Sequence, residues 1–284
     1  MKGVWLALLT IREAILKGTL VFYFAVGNII IIFFAFALSV SPDDGTTLLI
    51  LGNPVTPRGI EGFNPVEFLI LQLFQSSISA ILLFGIFATA GLIPAMLEKG
   101  TVELYLCKPL SRFSLLLFRS AGACGGITVN ILYFAAGIFA VFGFKTGVWH
   151  GALFPAALMA SIAFFFYYSI IAFSTVVFRS TGFAIMLAFV YSLFSGALAL
   201  REKVLYPWWD NVVYHRLLDA VYYATPQTDE MLTNSARIIG TNPFIRLAIG
   251  SAPQTFDVMP FVCSFLSASL IYGGAVWYFS SQDF

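Results

Sequence analysis

The sequence predicts an all-α integral membrane protein of six transmembrane helices, and three observations carry that reading. Of 284 residues, 60% are hydrophobic and only 10% are charged, with a mean hydropathy of +0.90. A soluble domain of this size carries roughly a quarter charged residues. The apolar residues fall in runs of about twenty, the length a helix needs to cross a bilayer. Lys and Arg are spread unevenly over the connections, which orients the bundle. The net charge of +1, without a long basic or acidic block, leaves no footprint for nucleic acid. Three scattered cysteines (Cys107, Cys124, Cys263) and two histidines (His150, His215) have no metal-ligand spacing.

The chain 1–284 reads as one transmembrane domain. Residues 1–18 form an amphipathic elbow helix with Trp5, Leu8, Leu9, Ile15 and Leu16 on its apolar side. Glu13 and Lys17 stand in the favourable i,i+4 order, and the helix is expected along the cytosolic membrane surface. The first span covers about 19–38; Ala35-Phe-Ala37 mimics a signal-cleavage site, but the apolar run is long for a signal segment and is read as a span. Residues 39–66 carry turn chemistry (Pro42-Asp-Asp-Gly45, Gly52-Asn-Pro54) and no helical period. The second span, about 67–93, bears a polar stripe of Gln72, Gln75, Ser76 and Ser79. That stripe reads either as the wall of a substrate path, as a subunit seam, or as ordinary interhelical hydrogen bonding.

The third span, about 113–142, belongs to a pattern longer than the bilayer, so its first turns are expected in the cytosol with Arg112 and Arg119 on one face. Gly122 and Gly126 allow another helix to come close. The fourth and fifth spans, about 152–177 and 183–200, are joined by the tight turn around Arg179 and Ser180. Residues 201–257 are expected to form amphipathic interfacial helices on the outer side. Tyr206-Pro-Trp-Trp209 serves as an anchor, and a second helix is signalled by Thr225, Pro226, Asp229 and Glu230 at its start and Gly240 at its end. The sixth span covers about 258–279.

Between the second and third spans lies the most charged short segment of the chain, Glu98 to Arg112. Pro94 distorts the end of the preceding helix and Gly100 interrupts it. Thr101 can cap a short helix over 102–107 with Glu103 in its first turn; Pro109 stops it, and Ser111 can cap the next helix. This is the grammar of a short structured loop offered to a partner.

The same residues carry a family resemblance. Glu98, Lys99, Gly100, Thr101, Leu104, Leu106, Pro109, Ser111 and Arg112 resemble the cytosolic loop of the type-2 permeases of ATP-binding-cassette transporters. Arg179 and Ser180, with Ser174 before them, match a second and weaker passage of that family, whereas the basic residues of its tail are absent here. The resemblance implies a coupling helix seated in a groove of separate cytosolic ATPase subunits, with Leu104 and Leu106 filling the groove and Glu98 and Glu103 meeting basic groups there or on Arg112. It implies a dimer with a second copy or a homologous permease, no cofactor on this chain, ATP and Mg on the partner, and export across the cytoplasmic membrane. The absence of an Asn-x-Ser/Thr sequon is compatible with a bacterial source.

With the N-terminus inside, eight Lys/Arg residues fall on the cytosolic side against two in the short outer loops, which gives N-in, C-in topology. No span centre carries an ionisable residue, which argues against a transporter with its own coupling ion. The chain has no phosphate-cradling Gly-rich Lys-Ser/Thr loop, no nucleophile elbow and no zinc-helix motif, so no enzymatic chemistry is expected of it. Inside the bundle it offers Asn28, Gln72, Gln75, Ser76, Ser79 and Asn130 as candidates for a path or seam. A solvated connector, a membrane anchoring or assembly protein and a channel-like facilitator are the competing readings.

Overall fold

The computed structural model describes residues 2–40, 48–54, 65–97, 111–209, 211–239 and 258–282. Helix α1 (Lys2–Leu16) leads through the left-handed Gly18 into α2 (Thr19–Ala37). Three short strands follow, β1 (Leu38–Val40), β2 (Leu48–Ile50) and β3 (Asn53–Pro54). Helices α3 (Pro65–Thr89), α4 (Leu92–Leu97), α5 (Arg112–Thr146), α6 (Leu153–Phe178) and α7 (Thr181–Ala199) come next. A short α8 (Arg201–Val204) and a 3-10 turn (Tyr206–Trp208) precede α9 (Val212–Ala224), α10 (Thr228–Ile239) and α11 (Met259–Ser281). Six of these segments are long and apolar enough to cross a membrane: α2, α3 with α4, α5, α6, α7 and α11. The protein is therefore of the multi-pass membrane class. The six antiparallel helices give the bundle two ends. The proximal end holds the start of α2, Ser111 and Arg179; the distal end holds the strands and the turn between α5 and α6.

Helix α6 is the axis. In its most apolar stretch 78% of residues are buried, against 17% in α2, 22% in α7 and 28% in α11, so those three form the rim. Ala156, Ala157, Ala160 and Ala163 of α6 are all fully buried; small side chains let neighbouring backbones approach, which is how helices associate where lipid is as apolar as Leu. Helices α5, α7, α10 and α11 pack directly on it.

Two regions depart from the expectations. Residues 38–54 hold an antiparallel sheet of order β1-β2-β3, where turn chemistry alone was expected. Its second hairpin turns at Leu51 and Gly52, both with positive φ (51° and 81°), the conformation that a two-residue hairpin loop requires. The second departure is α10. Expected at the outer interface, it is instead packed against α6, α3, α7 and α11, with Met231, Leu232, Ser235, Ala236 and Ile239 buried. Its amphipathic face is turned into the bundle rather than along a membrane surface. Its partner α9 keeps Val212, Val213 and Leu217 exposed, the face an interfacial helix presents to lipid.

The break between α3 and α4 has a local cause. Pro94 has no N–H to give the carbonyl of Ala90, and the helix turns at Ala90 and Gly91.

Candidate functional site

The proximal end is built around Arg119, the largest fully buried side chain among the described residues. It was expected on one helix face with Arg112, in turns standing clear of the bilayer; it is covered by protein, at 1% exposure. The reason is α1, which lies along α5 and covers that face. A Cβ on Gly122 would stand 2.5 Å from the carbonyl oxygen of Ala7, and one on Gly3 would overlap the Phe118 ring, so glycine at both positions sets how close α1 can come. The Gly122–Gly126 pair does admit close neighbours, the elbow helix and the Leu20 side chain at the head of α2. Leu6, Thr10 and Ala14 are the buried face of α1, while Trp5, Leu8, Ile15 and Leu16 stay exposed.

Under α1 the Arg119 guanidinium pairs with Glu13 (Nη2 to Oε2, 2.6 Å) and donates to the carbonyl of Leu92 from Nε (3.1 Å) and Nη2 (2.7 Å). Lys17 holds the other carboxylate oxygen of Glu13 at 2.8 Å. Partial burial alone would raise the Glu13 carboxyl. The Lys17 hydrogen bond and the charges of Arg119 and Lys17 more than offset it, and the pKa falls below the ordinary 4.5. One arginine thus ties the elbow helix, the start of α4 and the wall of α5 together.

The segment expected to engage a partner leaves from this corner. Glu98, Lys99, Gly100, Thr101, Glu103, Leu104, Leu106 and Pro109 lie outside the described residues. The flanks are built: Leu97 is buried at the end of α4, and Ser111 caps α5, its hydroxyl accepting from the Ser114 amide at 3.1 Å. Arg112 does not merely flank the segment. Its Nη1 donates to the carbonyls of Phe279 (3.3 Å) and Ser280 (3.0 Å), among the last of α11 and without helical partners, and to that of Gln282 just beyond it (2.6 Å). Arg179, in the left-handed conformation that ends α6, donates to the Gln282 side chain at 3.0 Å, and Ser180 caps α7 through the Phe183 amide. The two arginines of the resemblance therefore grip the end of the last helix. Arg112, Ser111, Arg179 and Ser180 are brought to one end of the bundle.

The second set of expected residues is divided. Asn28 donates to its own helix at Phe24 and accepts from the Tyr133 hydroxyl at 2.7 Å, joining α2 to α5. Asn130 is fully buried beside Gly27, and neither of its amide atoms has a partner among the described residues. On α3, Gln72, Ser76 and Ser79 are exposed and Gln75 is half-buried; Ser76 and Ser79 turn their hydroxyls back to carbonyls of the preceding turn.

Ser79 borders a feature that sequence reasoning did not assign. A cavity of about 80 Å³ lies between α3, α6, α7 and the inserted α10, and Asp229 of the first turn of α10 faces it with Ser79, Tyr167, Ser192 and Thr228. Ala163 and Tyr167, which line it, sit roughly 15–21 Å along α6 from Leu153 at ~1.5 Å per residue, deep in the bundle. Burial raises the Asp229 carboxyl pKa; a Ser195 hydrogen bond works against this and Glu230 adds to it. No basic side chain forms an ion pair with Asp229 among the described residues. The sequence signal was present, Asp in a helical first turn, but nothing local tells that the helix is inserted.

A larger cavity of about 330 Å³ lies between α5, α6 and α11, lined mainly by Phe113, Leu117, Phe165, Phe166 and Phe265. Tyr272 donates to Ser120 on its wall at 3.0 Å, and the Tyr168 hydroxyl finds no partner among the described residues. Such a space suits an apolar chain. No group of three or more His, Cys, Asp or Glu side chains that could hold a metal ion exists among the described residues. No protein-family model matches the chain, and no curated protein sequence matches it either.

Proposed function

We propose that the chain is the permease subunit of an ATP-driven exporter of the type-2 family of ATP-binding-cassette transporters. The observation that carries this is the segment Glu98–Arg112, with its Glu-Lys-Gly-Thr start and Pro-Leu-Ser-Arg end, set between the second and third apolar helices. In this reading the proximal end faces the cytosol, both termini are inside, and the segment is a coupling helix gripped by an ATPase. The build of its flanks supports the reading. A coupling element transmits force only if its ends are fixed, and Arg119, Glu13 and Leu92 join the helices on both sides of it with the elbow helix. Arg112 and Arg179 add the end of α11 to the same block. ATP binding on the partner would move this block as one body and alter the packing around α6. Two copies, or one copy with a homologous permease, would complete the pathway, with Gln72, Ser76 and Ser79 at the seam or on the path.

The test is a detergent pull-down of the tagged chain expressed with its neighbouring genes, wild type against a variant in which residues 98–110 are replaced by a Gly-Ser linker of equal length. Recovery of an ATPase with wild type, and its loss with the variant, is the expected result. If no ATPase accompanies the wild-type chain, the segment is a connector and the permease reading falls.

A further inference from the structure

We propose that the cavity at Asp229 binds the protonated amine of a long-chain cation, with the Asp229 carboxylate as its counter-ion. Calling that cation a cargo rests on the permease reading; the site itself does not. An ionisable side chain in the interior of a membrane bundle is expensive to keep, and one that meets no basic side chain among the described residues is open to a positive charge brought by a ligand. Asp229 is such a group, half-buried on a helix inserted between α3, α6 and α7.

The lining selects the class of ligand. One carboxylate faces the cavity, accompanied by the hydroxyls of Ser79, Ser192 and Thr228. Divalent ions demand six or more oxygen ligands or several carboxylates, so a single positive charge fits this set better. Phe164 and Tyr167 add aromatic rings, which attract ammonium groups through their faces. The rest of the wall is Leu82, Leu83, Ile86 and Leu232, a surface for methylene groups rather than for a hydrated ion. One ordered water needs roughly 10–15 Å³ of such space, so about 80 Å³ admits an ammonium head and the first carbons behind it.

The cavity also has an entrance. Ser79 lines it and is itself exposed, on the same face of α3 as Ser76 and Gln72. The polar stripe therefore leads to the carboxylate, and an amphiphile could bring its head along the stripe while its tail stays on the apolar flank.

The experiment is titration of dodecylammonium chloride against dodecanol into the full-length chain in nanodiscs of zwitterionic phosphatidylcholine, with empty nanodiscs subtracted. At about pH 8 the amine is charged, and its positive charge beside Asp229 favours the ionised carboxylate. The expected result is at least about tenfold tighter binding of the amine than of the alcohol, the ratio one charge-assisted hydrogen bond supports. Asp229→Asn should abolish the preference while leaving dodecanol binding unchanged; Asp229→Glu should keep part of it. Sodium chloride at equal ionic strength to a choline chloride control should not compete. If wild type shows no preference, or Asp229→Asn keeps it, the proposal is overturned, and full competition by sodium reassigns the cavity to an inorganic ion. Should Asp229→Asn fail to give monodisperse protein, Ser79→Leu closes the entrance from an exposed position, and an unchanged amine affinity in that variant would equally overturn it. None of these readouts involves an ATPase, so a negative result leaves the permease reading standing, and loss of the permease reading leaves the site standing.

Discussion

Replacing Glu13 by Leu is the sharpest test of the proximal corner. The substitution removes the carboxylate that sits 2.6 Å from a guanidinium at 1% exposure, which also donates to the Leu92 carbonyl. Removing one partner of a buried ion pair costs about 3–5 kcal/mol, because the other charge stays buried without that partner. Glu13 is itself 24% exposed, so water reaches one side of the pair and the lower end of the range, about 3 kcal/mol, applies. Lys17→Ala strips the same carboxylate of a partner that is 45% exposed, and an exposed pair is worth about 0.2–1 kcal/mol. Arg119→Met removes the charge that needs compensation and fills most of its volume, so its cost falls below that of Glu13→Leu. The assay is reversible unfolding in mixed micelles at constant ionic strength. The Glu13 pKa is lower in the folded protein than the ordinary 4.5. The pair's contribution is therefore complete above that value and lost as pH falls through the folded one, a slope that Glu13→Leu should lack. If Glu13→Leu costs no more than Lys17→Ala, or Arg119→Met is the worst of the three, Arg119 is not held as described.

Three further outcomes follow from neighbouring geometry. Gly122→Val puts a side chain where a single Cβ already meets Ala7 at 2.5 Å, so α1 must shift, at about 1–3 kcal/mol; cysteine crosslinking between α1 and α5 should lose efficiency in step. Arg112→Ala frees the last carbonyls of α11, costing about 1–2 kcal/mol, and deuterium exchange should rise selectively over residues 278–282; unchanged exchange would remove its tethering role. Asp219→Asn breaks the 2.8 Å pair with Arg201, which is partly exposed, so the loss should stay under about 1 kcal/mol. The Arg201 and Tyr206 hydrogen bonds hold the Asp219 pKa below 3.8, so this contribution persists at neutral pH and disappears only on acidification, which a thermal-melt series in pH reports.

The six apolar helices were legible because a run of about twenty apolar residues has one economical fate in a bilayer, full backbone hydrogen bonding inside a helix. The cap at Ser111, the tight turn at Arg179 and Ser180 and the break before Pro94 were legible for the same reason: each is decided within a few residues. What could not be read depended on distant partners. Arg119 looked like a cytosolic companion of Arg112 because the two stand seven residues apart on one helix, yet its counter-ion is Glu13, in another helix over a hundred residues away. Helix α10 has a strong apolar face, and such a face fits a membrane surface or the interior of a bundle equally well. Only packing against α6 decides between them, and with it the meaning of Asp229.

Arg119 and Asp229 differ in a way that assigns them different work. Arg119 has its carboxylate at 2.6 Å and its carbonyl at 2.7 Å, so its charge is compensated from within the chain. A pair of that kind fixes geometry, and its loss appears as instability. Asp229 stands at a cavity with no basic ion-pair partner among the described residues, on a helix that local sequence could have left at the interface. Nothing in packing requires a charge there: an Asn of the same size would satisfy the first turn of α10 and the Ser195 hydroxyl without the cost of desolvating an anion. The first-turn position and the Ser195 hydroxyl offset only part of the cost of that charge, which a bound cation would offset further. Asp229→Asn should accordingly leave the unfolding midpoint unchanged or raise it while abolishing the amine preference, whereas Glu13→Leu should do the reverse.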